Sequence, residues 1–393
     1  MYNAFWENAL NDRFVRIEPD DFKMGSDPGH EGVFAAWAEV EPPSPTVLKR
    51  ERFHSVAIKR PFYIDRFPTT VADFDRFASF YEYDKLEAEC NRNKYDRKVW
   101  VWERFPDFRK RNDADDNYDE NSSSQINGGG WYGWARRDRD WRCFYWDFEY
   151  VDKETKEWRE TRYWQGFDNP VVGLNRKEVY AYVNWLNTDR IRKAYKDTLN
   201  LNFTPKFRLP TEAEFEYCLK AGSQCVFSWG DDPQDVETHA KVADRAAEQK
   251  FVNEPIWKRS FNVFSSFRDI MFPNARAFMA TAPVGSYKPN KFGLYDMMGN
   301  VLEMTSDVYK EDYGLGKEWD RDSVVVDPGR INGDKLDDYY ASKDDEHFDQ
   351  SFVCKGGAWC GGPDVCRPAA RIPRTGWFRS DYLGFRVCFD AKD

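Results

Sequence analysis

The stretch CKGGAWCGGPDVCRPAAR, residues 354–371, places Cys354, Cys360 and Cys366 at intervals of six residues. Thiolates are nucleophiles and soft ligands, and two that converge on one ion select Cu(I). The pair Cys360 and Cys366 could hold copper and carry redox chemistry, or it could pack. Cys354 and Cys388 lie in apolar strand patterns and read as buried core thiols. A second stretch, GLYDMMGNVLEM, sets Asp296 and Glu303 on either side of a glycine turn. Carboxylates flanking a turn with exposed carbonyls suit a hard cation that needs several oxygens. The plain alternative is a capped turn with two solvated acids.

Other metal chemistry finds less support. DADDNY, residues 113–118, begins like a calcium loop, but Tyr118 stands at the sixth position and Ser124 at the twelfth, where glycine and glutamate are needed. The four histidines, His30, His54, His239 and His347, are far apart, with no two on one helix face. Each reads as a surface or packed side chain rather than part of an iron site.

These candidates sit in a chain of 393 residues, of which 41% are hydrophobic and 17% aromatic, enough for a sizeable core. Net charge is −10, so the basic footprint of a nucleic-acid binder is missing. The first residues lack the basic, apolar and small-residue regions of a signal peptide. No apolar run approaches a membrane span. Eight cysteines are too few for a disulfide scaffold. The expectation is a cytoplasmic protein with reduced thiols and no membrane or nucleic-acid partner.

The elements that must position the candidates follow from periodicity and capping. FVRIEPDDFKMGS alternates apolar and polar residues and stops at Gly25, as a short strand does, and FHSVAIKRPFYIDRFP repeats the pattern. Thr70 with Asp73 starts one helix, on which Val71, Phe74 and Ala78 share a face. Asn175 and Glu178 start a second, spanning NRKEVYAYVNWLNTDRIRK, with Val179, Val183 and Leu186 inward. Thr211 and Glu214 form a capping box for a third, which buries Phe215, Cys218 and Leu219 and stops at Gly222. Beyond Gly222, short strands and packed loops are expected. The class is α+β.

Residues from about 90 to 165 are unusual: half of the 16 tryptophans lie there, in runs such as GGGWYGWARR and WRCFYWDFEY. The polar stretch between these runs reads as an exposed loop. The aromatics read as a local core or hairpin platform, or else as a recognition surface with Trp131 and Trp134 among its anchors.

Taken in order, FKMGS, FHSVAIKRPFYIDRFPTT, NPVVGLNRKEVYAYVNWLN, FRLPTEAEFEYCLKAG, FSWG, APVGSYKPNKFGLYDMMGNVLEMTSDVY, CKGGAWC and LGFRV make the chain resemble the formylglycine-generating enzyme, or sulfatase-modifying-factor, family. The resemblance covers nearly everything outside the aromatic insert. It implies one large domain, residues 1–393, with a C-type-lectin-like fold. It also implies calcium at Asp296, the carbonyls of Gly299 and Val301, and Glu303. The family's copper-dependent oxidases convert a sulfatase cysteine to formylglycine with a Cys-x4-Cys pair. Here Cys360 and Cys366 are one residue further apart, and Cys366 stands nearer Ala369, Ala370 and Arg371. The family's active-site tryptophan, serine and asparagine correspond to Leu302, Ala358 and Tyr382. Its iron-dependent, sulfoxide-forming branch would need clustered histidines, which are missing. The resemblance therefore points to a non-catalytic member that binds an unidentified protein, peptide or small molecule. The variable proteins of diversity-generating retroelements end in a similar segment. On that analogy the binding face lies in 358–383, with Trp359, Arg374, Trp377, Phe378 and Tyr382.

Overall fold

The computed structural model describes residues 12–27, 50–80, 145–151, 158–164, 166–232, 235–242, 281–316, 323–331, 335–341, 345–359, 361, 363–380 and 382–392. Cys360, Trp131 and Trp134 lie outside them. In chain order the strands are β1 (Phe14–Ile17), β2 (Asp20–Met24), β3 (His54–Ile58), β4 (Phe62–Asp65), β5 (Tyr145–Val151), β6 (Trp158–Trp164), β7 (Phe207–Arg208), β8 (Leu302–Val308), β9 (Val324–Val326), β10 (Ser351–Lys355), β11 (Ile372–Thr375), β12 (Leu383–Gly384) and β13 (Cys388–Asp390). The helices are α1 (Val71–Phe80), α2 (Arg176–Leu186), α3 (Asp189–Thr198), α4 (Glu212–Lys220), α5 (Val236–His239), α6 (Leu336–Ala341) and α7 (Asp345–Asp349).

Short strands of this kind bury little alone, so they assemble in small sheets. Two have four strands, in the orders β1-β4-β13-β7 and β11-β10-β8-β12; the others are β2-β3-β9 and the β5-β6 hairpin. The hairpin pairs Tyr145 with Trp164 through to Val151 with Trp158, so this part of the aromatic stretch is a hairpin. β1 and β13 flank β4 and bring the two ends of the described chain side by side. The α+β expectation, few helices with small sheets and many loops, is what the chain builds.

The caps form where their residues predict. Asn175 with Glu178 and Thr211 with Glu214 make complete capping boxes. Asp73 accepts from the Thr70 N–H at 3.0 Å, and Thr70 Oγ1 accepts from the Asp73 N–H at 3.2 Å. Phe77, rather than Ala78, completes the buried face of α1. The second helix is corrected to two, α2 and α3. Asn187 leaves the helix because its side-chain amide donates to the Phe207 carbonyl and accepts from the Phe207 N–H, both at 2.8 Å. That pairing ties the helix end to β7 and ends the repeat. At the end of α4, Ala221 (φ +46°) already takes the left-handed conformation, one residue before Gly222 (φ +76°).

Two apolar cores result. The first packs α1 and α2 against β8, β10 and the turn at Trp359. The second packs α4 against β2, β3 and β4 and includes Cys366 and Cys388. Among the described residues, no helix is long and apolar enough to cross a membrane.

Candidate functional site

The stretches singled out by sequence meet around the start of β8. Gly299 N–H donates to the Gly356 carbonyl at 2.7 Å, Trp359 N–H to Asn300 at 3.0 Å, and Leu302 N–H to Tyr382 at 2.8 Å. β12 runs parallel to β8, with Leu383 opposite Leu302 and Gly384 opposite Glu303. The Asp296–Glu303 turn, the double-glycine segment and the C-terminal segment are thus stitched together by backbone.

Successive side chains of a strand point to opposite faces, and β8 uses both. Leu302 and Met304 enter the first apolar core with Ala358, Trp359 and Tyr382. Leu302, Ala358 and Tyr382 are only 1%, 5% and 4% exposed, so these three positions share one packed interior. Glu303 turns the other way, where Arg386 clasps it with two bonds of 2.7 and 2.6 Å. Arg386 also donates to the carbonyls of Asp65 and Tyr295, at 3.2 and 3.0 Å, which satisfies a fully buried guanidinium. Sequence reasoning did not single out Arg386. Its signal was an arginine between Phe385 and Val387 in an otherwise apolar strand end, since a charge there must have a buried partner.

Asp296 is 3% exposed and accepts from the Gly285 N–H at 2.7 Å and the Asn300 amide at 3.3 Å. Burial raises Asp296 and Glu303 above the ordinary carboxylate range, although Arg386 pulls each back. Asp296 keeps acceptor capacity beyond those two bonds, and Glu303 keeps the lone pairs that Arg386 leaves. A hard cation needs several oxygens, and here Glu303 already gives both of its oxygens to Arg386. Among the described residues no three His, Cys, Asp or Glu side chains converge, so a calcium here would depend on backbone oxygens for the rest.

Of the described cysteines, Cys218, Cys354, Cys366 and Cys388 are buried and Cys225 is half-buried. Cys366 ends a short 3-10 turn (Pro363–Cys366) and is 0% exposed in the second core. A β-carbon on Gly357 (φ +73°) would stand 2.5 Å from the Cys366 sulfur, so the second glycine of the motif lets the thiol pack against backbone. Burial raises the Cys354 thiol to about 11 and pushes Cys388 and Cys218 well above an ordinary thiol. Cys354 and Cys388 are therefore protonated core residues, as their strand patterns predict.

The expected recognition face is narrower than its sequence suggests. Trp359, Trp377 and Tyr382 are 3%, 5% and 4% exposed and belong to the first core. Trp377 packs at a tilt against Phe348, with ring centres 5.2 Å apart, and donates its indole N–H to Asp349 at 3.1 Å. Large aromatics adjoining a core gain more by burial than by display. Arg374 and Phe378 remain half-buried, with the guanidinium 4.9 Å above the ring. Arg374 also donates to the Tyr382 hydroxyl at 3.4 Å and to the Pro373 carbonyl at 2.8 Å. Arg374 and Phe378 are thus among the half-buried residues of the segment, above the buried Tyr382.

Residues 4–391 match the FGE-sulfatase family, described as the sulfatase-modifying factor enzyme 1-like domain. The chain is 27% identical over 225 residues to a formylglycine-generating enzyme of Mycobacterium tuberculosis, covering 56% of this chain and 58% of the relative. It is 26% identical over 155 residues to the inactive C-alpha-formylglycine-generating enzyme 2 of Bos taurus, covering 38% and 40%. The chain thus spans about half the length of the curated relatives it matches. Among solved structures it is similar to PvdO from Pseudomonas aeruginosa, with 18% identity, a TM-score of 0.46, and coverage of 96% and 94%.

Proposed function

The chain belongs to the sulfatase-modifying factor enzyme 1-like family, with its C-type-lectin-like α+β fold, and within that family we propose that it is a non-catalytic member that binds a ligand or a protein. One observation carries this reading. The positions corresponding to the oxidase's tryptophan, serine and asparagine are Leu302, Ala358 and Tyr382, packed together in an apolar interior. A reaction that positions a thiol and oxygen needs oriented groups at an accessible site. Here the interior offers methyl groups and a buried phenol, and the described thiol of the pair, Cys366, is sealed. A relative named as inactive supports the possibility of such a member.

The binding face in this reading lies within 358–383, centred on Arg374 and Phe378, with the Tyr382 hydroxyl beneath them. Its ligand is a protein, a peptide or a small molecule. By analogy with variable proteins of diversity-generating retroelements, the side chains exposed between Trp359 and Leu383 would differ between copies. The neighbouring DNA tests this. A reverse-transcriptase gene with a near-copy of the codons for 358–383 is the expected finding; a sulfatase gene in that place would favour the copper-dependent oxidase instead.

A calcium ion at Asp296, the carbonyls of Gly299 and Val301, and Glu303 completes the proposal as a structural cofactor. Binding to the native state alone stabilises by mass action, about 2.7 kcal/mol when the ion is at a hundred times its Kd. The Tm in calcium should exceed that in chelator, and Asp296→Ala should abolish the difference. Identical curves in both conditions would remove calcium from the account.

A further inference from the structure

Four arginines stand between Trp359 and Leu383, and three of them clasp a glutamate. Arg367 holds Glu51, Arg371 holds Glu212, and Arg379 pairs with Glu178. Arg374 is the exception: it has no carboxylate partner among the described residues. Its guanidinium lies 4.9 Å from the Phe378 ring centre and donates to the Pro373 carbonyl at 2.8 Å and the Tyr382 hydroxyl at 3.4 Å. A guanidinium carries five N–H donors, so these two bonds leave most of its capacity unused. The Nε atom is buried and has no partner among the described residues.

The surroundings do not supply the missing charge. Arg374 stands directly across from Phe352 in the pairing of β11 with β10, and such opposed side chains share one face of a sheet. On Phe352 lies a second guanidinium, that of the buried Arg176, 3.8 Å from the ring centre. Arg176 donates to the Thr305 carbonyl at 2.7 Å and likewise has no carboxylate among the described residues. Burial raises the Cys354 thiol, and Arg176 and Arg374 both oppose that shift. Arg176 is too deep to touch a ligand, but its charge acts through an interior that screens it weakly.

A guanidinium with open donors favours a planar anion that can accept two of them, which is a carboxylate. The large aromatics that could wall a cavity here, Trp359, Trp377 and Tyr382, are packed in the core, whereas Arg374 and Phe378 adjoin and are half-buried. A shallow pair of this kind suits one side chain of an apposed polypeptide better than an enclosed small molecule, and arginine is a usual anchor of such contacts. We propose that Arg374, held against Phe378, receives the carboxylate side chain of an acidic peptide segment. This rests on the reading that the chain binds through 358–383, and it names the chemistry of what is bound.

The test selects a phage-displayed library of random short peptides on the full chain and titrates the recovered peptides by calorimetry. They should share an Asp or Glu, and changing that residue to its amide should weaken binding about tenfold or more, the loss of a charge-assisted contact. Arg374→Met should weaken the acidic peptide equally and leave the amide peptide unchanged, so that the two losses do not add. Arg374→Lys should restore only part of the affinity, because it lacks the planar fork. The comparison of acid with amide on the parent chain decides even where Arg374→Met fails to fold: equal affinity overturns the proposal. Neutral recovered peptides, no recovered peptide, or an acid whose contribution survives in Arg374→Met would overturn it too. If neutral peptides are recovered and lose binding in Phe378→Ala, the face within 358–383 stands and only its acidic partner falls; if they bind Phe378→Ala like the parent, the face falls with it.

Discussion

The two faces of β8 were built to opposite specifications. On one, Leu302 and Met304 enter an apolar interior with Ala358, Trp359 and Tyr382. On the other, Glu303 is clasped by Arg386, Thr305 donates its hydroxyl to the Val353 carbonyl at 2.9 Å, and Asp307 accepts from the Glu212 N–H at 2.8 Å. The polar face contains groups that agree with the family pattern, and each of them serves to hold segments of the fold together. The apolar face contains the positions that depart from it. In the proposed reading, the polar face belongs to the scaffold and the apolar face holds Leu302, Ala358 and Tyr382, where the oxidases' reacting groups would stand.

Breaking the polar face should have the largest effect. Arg386→Met leaves Glu303 buried without its partner, and loss of one member of such a pair costs about 3–5 kcal/mol. Denaturant unfolding should register it. The double variant Glu303→Leu, Arg386→Met should cost less than the sum of its single changes, because no unpaired charge remains. Additive losses would mean that the pair is not the unit that matters.

Leu302→Trp sharpens the other side by restoring the family's residue type. The interior around Leu302 is already full, so the larger ring should destabilise by about 1–3 kcal/mol. It should confer no oxidation, because Ala358 and Tyr382 remain. A neutral or stabilising Leu302→Trp would show that the apolar face still has room for the family's site.

A pH-dependent effect concerns Asp307, which, unlike Glu303, has no cation paired with it among the described residues. Burial of its carboxylate, with Glu212 nearby, raises it to about 7. A carboxylate raised in the folded state holds its proton there more tightly than in the unfolded chain. Stability contributed by protonated Asp307 is therefore present at low pH and lost as pH rises from about 4 through about 7. Asp307→Asn should flatten that part of the stability curve. An unchanged slope would place the titration elsewhere.

Much of this was legible in the residues. Capping pairs such as Asn175 with Glu178 are local, so their consequences follow from spacing alone. The split between α2 and α3 was not legible, because Asn187 is drawn away by Phe207, a partner twenty residues on. Arg386 and the burial of Trp359 and Trp377 were missed for a related reason. A tryptophan in a sequence looks the same whether it will line a core or a surface, and only the packing of Phe348 and Asp349 of α7 and Lys177 of α2 around Trp377 decides. Cys366 illustrates the opposite limit: its spacing suggested chemistry, whereas the close approach of Gly357 shows a packing role.

The central claim, that this scaffold carries no oxidase, has one direct measurement. Purified chain is loaded with copper and given oxygen and a peptide with the sulfatase Cys-x-Pro-x-Arg motif, and mass spectrometry follows conversion of the peptide cysteine to the aldehyde. The account predicts no conversion, with Cys360→Ser and Cys366→Ser variants indistinguishable from the parent in this assay. Copper-dependent turnover that disappears in both variants would contradict it and restore the two thiols as a catalytic pair.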